Sequence, residues 1–425
     1  MKLVLAALVL CVPPAPAAAQ GKSSPARPPD PTALVEALCA AEGWSAAGRA
    51  ERARLLAQLA ELPPLTEKEC ARWKTTLAKL AAKGRKLEAK SGRHWFWEKP
   101  AERGLYIVGG ETQRPKGLLI ALHGGGAGSG DAGSAADAYQ SAAGKLGWLM
   151  IAPEVLEKTE HGWTDSGSEE FVLELVECAL RTWKIDRDRV YVSGHSMGGY
   201  GTWTLGAHHA DRVAGLAASA GAPTPVSGPS GKYEDVIEGV IPSLRNVPIA
   251  IYQSDDDPRV PPEANRIAVK KLGEAQQRWG GFVHEYWEVS GREHDLPPGG
   301  MAALLAKIAA RERETRPARI VWQPALEWKQ QFYWLWWSKP RRGALLVADC
   351  DRAANEVRIQ CDVKPETLEV LLDERLLDLA QDVRILLNGN EVFRGRAQRS
   401  LATLAKTALA GDEGLVFPAS VLMKP

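Results

Sequence analysis

The sequence predicts an α/β protein: a doubly wound, mostly parallel sheet covered on both faces, with a helical region before it and a small β-rich domain after it. Three observations predict this. Between residues 93 and 312, short apolar runs such as "GLLIALHG", "WLMIAPEV", "RVYVSGHS", "VAGLAASAG" and "VPIAIYQS" alternate with helical stretches, the rhythm of strands buried on both faces. Before them, residues 32–92 place apolar side chains at three- and four-residue spacing between charged faces. After them, residues 315–425 mix strand alternation with turn signals such as Asn388-Gly389.

The segments follow in chain order. "MKLVLAALVLCVPPAPAAAQ" reads as an export signal over residues 1–19: Lys2 is the basic start, Leu3 to Val12 the apolar run, and Ala17-Ala18-Ala19 the cleavage site. That run is far below the roughly 20 residues of a spanning helix, so the expected location is secreted or periplasmic without a membrane-spanning segment. Residues 20–31, rich in Pro and Ser, read as a flexible leader. In the helical region 32–92, Pro63-Pro64 separates two helices, and Thr66 with Glu69 starts the next as a capping box. This region reads as a prodomain or accessory element without chemistry of its own. Cys350 and Cys361 flank an expected hairpin, "DRAANEVRIQ", and are candidates to pair across it, with Cys39 and Cys70 a second candidate pair. Cys178, inside an amphipathic helix, reads as a buried thiol.

Chemistry enters at "VYVSGHSMGGYGTW". Gly194-His195-Ser196-Met197-Gly198 fits G-x-S-x-G, and it stands after a strand and opens a helix, which is the context of a nucleophile elbow. Glycines are needed there because the serine occupies a strained turn where neighbouring side chains would clash. A serine hydroxyl needs a base and an orienting acid, and in an α/β-hydrolase these follow it in the order acid, then histidine. "VPIAIYQSDDDPRVP" supplies the acid and "VHEYWEVSGREHDLPP" supplies His294. His284, inside that strand, reads as structural. His208 and His209 fall at the end of the nucleophile helix, where cations suit the helix dipole. "LLIALHGGG" runs a strand into a glycine loop, so the N–H of Met197 with that of Gly124 or Gly125 would receive a developing oxyanion.

"LIALHGGG", "DRVYVSGHSMGGYGTW", "SDDDPRVPPEAN" and "GREHDLP" resemble the secreted α/β-hydrolase esterases grouped with polyhydroxybutyrate depolymerases, feruloyl and acetylxylan esterases, and dienelactone-hydrolase and prolyl-oligopeptidase-like domains. The resemblance spans residues 105 to 310. It implies Ser196 as nucleophile, His294 as base and Asp257 as acid, because Asp257-Pro258-Arg259-Val260-Pro261 matches the family's D-x-x-V-P. The family's glycine at the start of that loop is replaced by Ser254, which leaves Asp256 as the alternative acid. "LLDLAQDVRILLNGNEVFRG" is similar to a β-domain appended to some of these esterases.

Partner classes follow from composition and loops. With 53 basic and 52 acidic residues the net charge is +1, not the basic stripe that nucleic acid selects. No C-x-x-C or paired Cys/His spacing suggests zinc, and the chemistry asks for no metal or cofactor. Only a short stretch separates "ASAGAP" from the next strand, so no large lid is expected. Trp163, on the loop after "WLMIAPEV", and His195, beside the nucleophile, are the expected substrate contacts. Packing within the loop is an equal reading of Trp163, and Asp165 is a weaker candidate for a substrate hydroxyl. Of the 15 tryptophans, Trp322, Trp328, Trp334, Trp336 and Trp337 cluster at the entry to the last domain. Packing of that domain is favoured there over a polysaccharide platform, because consecutive aromatics fill both faces of a strand. The expected activity is carboxylic-ester hydrolysis through an acyl-enzyme, with acylated polysaccharides and polyesters as candidate substrates. A prolyl-oligopeptidase-like peptidase and a non-catalytic binding protein are the alternatives.

Overall fold

Strands buried on both faces organise the protein. A computed structural model describes residues 30–42, 45–99 and 103–423, so the expected export signal and the leader up to residue 29 lie outside the described residues. Helices α1 (Pro31–Ala40), α2 (Ala46–Ala60) and α3 (Glu67–Ala81) come first. Asp30, Ser45 and Thr66 cap them by accepting backbone N–H groups, and Glu69 completes the capping box on α3.

The central sheet holds β1 (Gly92–Trp95), β2 (Leu105–Gly110), β3 (Gly117–Leu122), β4 (Trp148–Pro153), β5 (Val190–His195) and β6 (Gly215–Ser219). A small ribbon of β7 (Pro225–Ser227) and β8 (Tyr233–Val236) precedes its last strands, β9 (Ile249–Ser254) and β10 (His284–Val289). The eight strands run in the order β1-β2-β4-β3-β5-β6-β9-β10. Only the β1–β2 and β2–β4 pairs are antiparallel. Along β3, Leu118, Ile120 and Leu122 face one core while Leu119 and Ala121 face the other, the period of two that a doubly covered strand requires. Helices α4 (Ala132–Leu146) and α8 (Gly300–Ala306) cover one face. Helices α5 (Ser168–Trp183), α6 (Met197–His208) and α7 (Glu263–Trp279) cover the other. This is the α/β-hydrolase arrangement. The chain reverses its winding between β3 and β5, so the loops leaving those two strands meet above their carboxyl ends.

The last region is a sandwich. One sheet orders β11 (Arg319–Trp322), β14 (Leu346–Asp351), β15 (Glu356–Cys361), β17 (Val383–Leu387) and β18 (Asn390–Gly395). The other orders β12 (Gln331–Phe332), β13 (Leu335–Trp337), β16 (Leu368–Leu372) and β19 (Ala419–Leu422), with α9 (Leu401–Leu409) beside it. Trp322, Trp334, Trp336 and Trp337 are buried in one apolar core that continues into the α5–α7 layer; Trp328, the fifth of that cluster, is exposed, at 45 %. Packing, not a platform, accounts for the tryptophan cluster.

One expectation changes. All five described cysteines are free thiols. In the β14–β15 hairpin Cys350 stands opposite Val357 and Cys361 opposite Leu346, so the two lie at opposite ends of the ladder. The helical region, read from sequence as a prodomain or accessory element, packs on α9: Leu38, Leu59, Trp73 and Leu77 share a core with Leu401, Leu404 and Ala405. Among the described residues no helix is long and apolar enough to cross a membrane.

Candidate active site

Ser196 sits between β5 and α6 with φ 59° and ψ −124°, a conformation a non-glycine residue adopts only at a cost of roughly 1–3 kcal/mol. The surroundings hold it there. Its N–H donates to the Ser219 carbonyl at 2.9 Å, and its own carbonyl accepts from Gly199 and Tyr200 at 2.7 and 3.1 Å. A Cβ at Gly194 would come within 2.2 Å of the Gly198 carbonyl oxygen, and one at Gly198 within 2.2 Å of the Leu122 oxygen. The glycines of the motif are therefore steric requirements of a turn pressed against β3.

The Ser196 hydroxyl lies 2.8 Å from His294 Nε2, and His294 Nδ1 lies 2.7 Å from Asp257 Oδ2. Serine, imidazole and carboxylate thus form one hydrogen-bonded line, built from the carboxyl ends of three different strands. Asp257 is 4 % exposed. Its other oxygen accepts the N–H groups of Arg259 and Val260 at 2.8 and 2.9 Å, so the loop holds the carboxylate with one oxygen and turns the second to the histidine, where Gln253 Nε2 also donates to it at 3.4 Å. Gln253 and Asn265, which sequence reasoning missed, brace that loop. Gln253 donates to the Val260 and Ser254 carbonyls at 2.8 and 3.0 Å, and Asn265 donates to Gln253 at 2.8 Å.

Asp256, the alternative acid, is not joined to the histidine. Its Oδ1 accepts from the Ser254 hydroxyl and from the N–H groups of Arg292 and Glu293 at 3.2 and 3.0 Å, which ties down the loop carrying His294. These bonds to Ser254 and Glu293 lower the Asp256 pKa. Asp255 accepts only from the exposed Ser290 hydroxyl at 2.6 Å.

The other expected site residues divide. Gly124 approaches the serine closely: a Cβ there would stand 3.8 Å from Ser196 Oγ. Met197 is the first residue of α6, so its N–H has no partner within the helix. Gly125 takes φ 148° and is enclosed by the Ser129 carbonyl. His195 bonds Ser219 Oγ at 2.9 Å, with its ring centroid 5.0 Å from that of His294. Burial first, and His294 next, push His195 down to about 4, so it is neutral at pH 7 beside the triad. Trp163 does not present a face to solvent: it is 1 % exposed and donates its indole N–H to the His123 carbonyl at 3.0 Å. Of its two sequence readings, packing is the one that agrees with this burial. Asp165 accepts from the Thr159 hydroxyl and shapes the same loop. No group of three His, Cys, Asp or Glu residues placed to hold a metal occurs among the described residues.

No protein-family model and no curated protein matches the chain. Solved structures with a related fold include a thermostable esterase, 20 % identical over 52 % of this chain and 63 % of that one, with a TM-score of 0.40. An acetyl xylan esterase from Aspergillus awamori is 12 % identical over 49 % and 95 % of the two chains, with a TM-score of 0.37. A phospholipase/carboxylesterase from Dyadobacter fermentans is 19 % identical over 48 % and 95 %, with a TM-score of 0.33. The likeness is to esterases, at a distance where the geometry of the site has to carry the functional argument.

Proposed function

We propose that the protein is a serine carboxylic-ester hydrolase working through an acyl-enzyme, exported by its N-terminal segment. The observation that supports it is the unbroken hydrogen-bonded line from Ser196 through His294 to Asp257 on a strained elbow. The Ser196 oxygen attacks the ester carbonyl carbon as its proton passes to His294 Nε2, while Asp257 stabilises the resulting imidazolium. The carbonyl oxygen becomes an oxyanion facing the N–H of Met197 and one from the Gly124–Gly125 loop. Collapse breaks the bond to the alcohol oxygen, which leaves with the proton from His294. Water then gives a proton to His294 as its oxygen attacks the acyl carbon; collapse breaks the bond to Ser196 Oγ, which takes that proton back from His294, and the carboxylic acid is released.

The test is a turnover screen with short-chain p-nitrophenyl esters, acetylated and feruloylated polysaccharides, polyesters and peptides. Ester cleavage should dominate, and Ser196→Ala should lower it on the order of 10³-fold or more. Activity surviving that change in a folded protein sinks the mechanism, and amide turnover above ester turnover replaces the substrate class.

A further inference from the structure

A glycine loop has no side chains of its own to hold it, yet oxyanion donors act only if their N–H vectors are fixed before the charge develops. The loop after β3 solves this through its carbonyls. In a planar trans peptide the C=O and the following N–H point in opposite directions. Whatever binds the His123 carbonyl therefore aims the Gly124 N–H, and whatever binds the Gly124 carbonyl aims the Gly125 N–H. The Trp163 indole donates to the first carbonyl at 3.0 Å. The His123 ring lies 2.8 Å from the second through Nδ1.

The tautomer follows from the rest of the ring's surroundings. Val155 N–H donates to His123 Nε2 at 3.2 Å, so the proton is on Nδ1, which donates to Gly124. His123 is 1 % exposed, and burial pushes its pKa down, in keeping with a neutral ring. The loop after β4 supplies both Val155 and Trp163, and it makes two further bonds, one to the glycine loop and one to the start of α4: Gly128 N–H to the Lys158 carbonyl at 2.8 Å and Ala132 N–H to Glu154 at 3.1 Å. Trp163 is also wedged against the nucleophile helix. A Cβ at Gly201 would meet its side chain at 2.7 Å, and a Cβ at Gly162 would meet the Met197 sulfur at 2.4 Å.

We infer that Trp163 and the His123 ring are positioning residues that aim the two candidate oxyanion N–H groups of the glycine loop. This rests on the ester-hydrolase reading of Ser196. The loop after β4 acts as the rigid last through which the glycine loop and the nucleophile helix are kept in one register.

The experiment measures two things on the full-length protein: the rate of Ser196 labelling by a fluorophosphonate probe, and kcat and KM for a p-nitrophenyl ester. It compares the wild type with Trp163→Phe, which keeps an aromatic ring and removes the N–H. Near-UV circular dichroism and active-site titration restrict the comparison to folded molecules. Labelling rate and kcat should both fall about tenfold or more in Trp163→Phe, with KM and the pH profile unchanged, a fraction of the effect of losing a donor outright. His123→Ala should lose a similar factor, and His123→Asn should recover most of it, because its amide can still donate to the Gly124 carbonyl. The histidine pair carries the test if Trp163→Phe does not fold. Equal rates in the wild type and the folded variants overturn the positioning role while leaving the hydrolase reading intact. A wild type that is not labelled at Ser196 overturns both.

Discussion

Asp255, Asp256 and Asp257 are identical residues with three different jobs, and the turn that follows β9 decides which does what. Asp257 folds back through the turn bond of its N–H to the Ser254 carbonyl, buried against the histidine. Asp256 is turned to the backbone of the next loop, and Asp255 to water. Asp257→Asn should lower kcat by on the order of 10⁴-fold, because the amide no longer stabilises the imidazolium. Asp256→Ala should cost roughly 10- to 100-fold by loosening the loop under His294, and Asp255→Asn should change kcat less than about twofold. A larger loss at Asp256→Ala than at Asp257→Asn would reverse the assignment. The D-x-x-V-P spacing points to Asp257, and Ser254 in place of the family's glycine left Asp256 open, since rotation of a side chain about a turn is not written in the spacing.

Another residue-scale reading changes at His209. His208 and His209 were expected as cations at a helix end, but both face Glu169, at 2.9 Å from His208 and 2.9 Å from His209. Burial pushes His209 down to about 4, with Lys329 nearby adding to the fall and Glu169 opposing it. It is therefore neutral at pH 7, donates Nε2–H to Glu169, and leaves a buried Nδ1 without a partner among the described residues. An unfolded histidine titrates near 6.5. Between those two values the unfolded chain binds the extra proton, so this stability is present above about 6.5 and is lost as pH falls towards 4. Unfolding measured at pH 7.5 and pH 4.5 should show the wild type losing about 2–3 kcal/mol more than His209→Gln. Equal losses would mean that His209 is not the group responsible.

At the scale of elements, the elbow and the sheet were legible because their requirements are local. Strands covered on both faces must be apolar throughout, so β3, β4 and β9 are visible as runs, and a turn pressed onto a neighbouring strand must be glycine. Gly198→Ala puts a methyl 2.2 Å from the Leu122 oxygen and 2.7 Å from its carbon, backbone atoms that cannot rotate aside. It should abolish hydrolysis and destabilise by roughly 3 kcal/mol or more. Gly273→Ala, inside α7 with nothing within 4 Å of the new carbon, is the matched control and should stabilise by about 0.5–1 kcal/mol. Thermal unfolding of the two variants side by side checks both signs. What sequence could not supply is adjacency between loops. Trp163 reads as an aromatic on a loop, and only the neighbouring positions of β3 and β4 in the sheet bring it under the glycine loop.

For the whole molecule the least legible feature is that α1–α3 and α9 form one structure. Nothing in the periodicity of α1–α3 names a partner, and α9 lies more than 300 residues further on. The packing nonetheless joins them through Leu38, Leu59, Trp73, Leu401 and Leu404, with Leu65 N–H donating to the Arg399 carbonyl at 2.9 Å. The connection to the hydrolase layer between α3 and β1 is exposed at Lys83, Arg85 and Lys86, while Leu87 is tied to Thr182 at 2.9 Å. A removable prodomain would leave once that connection is cut. A docked element would not, since each apolar side chain it withdraws from the shared core costs about 1.5–3 kcal/mol. Limited trypsin digestion should therefore nick the chain at Lys83, Arg85 or Lys86 and leave the two fragments eluting together on size exclusion, with ester hydrolysis retained. They should separate in denaturant, and Leu404→Asp, which places a charge in the shared core, should release the N-terminal fragment without denaturant. Free elution of that fragment from the nicked wild type under native conditions would make the region a detachable prodomain after all.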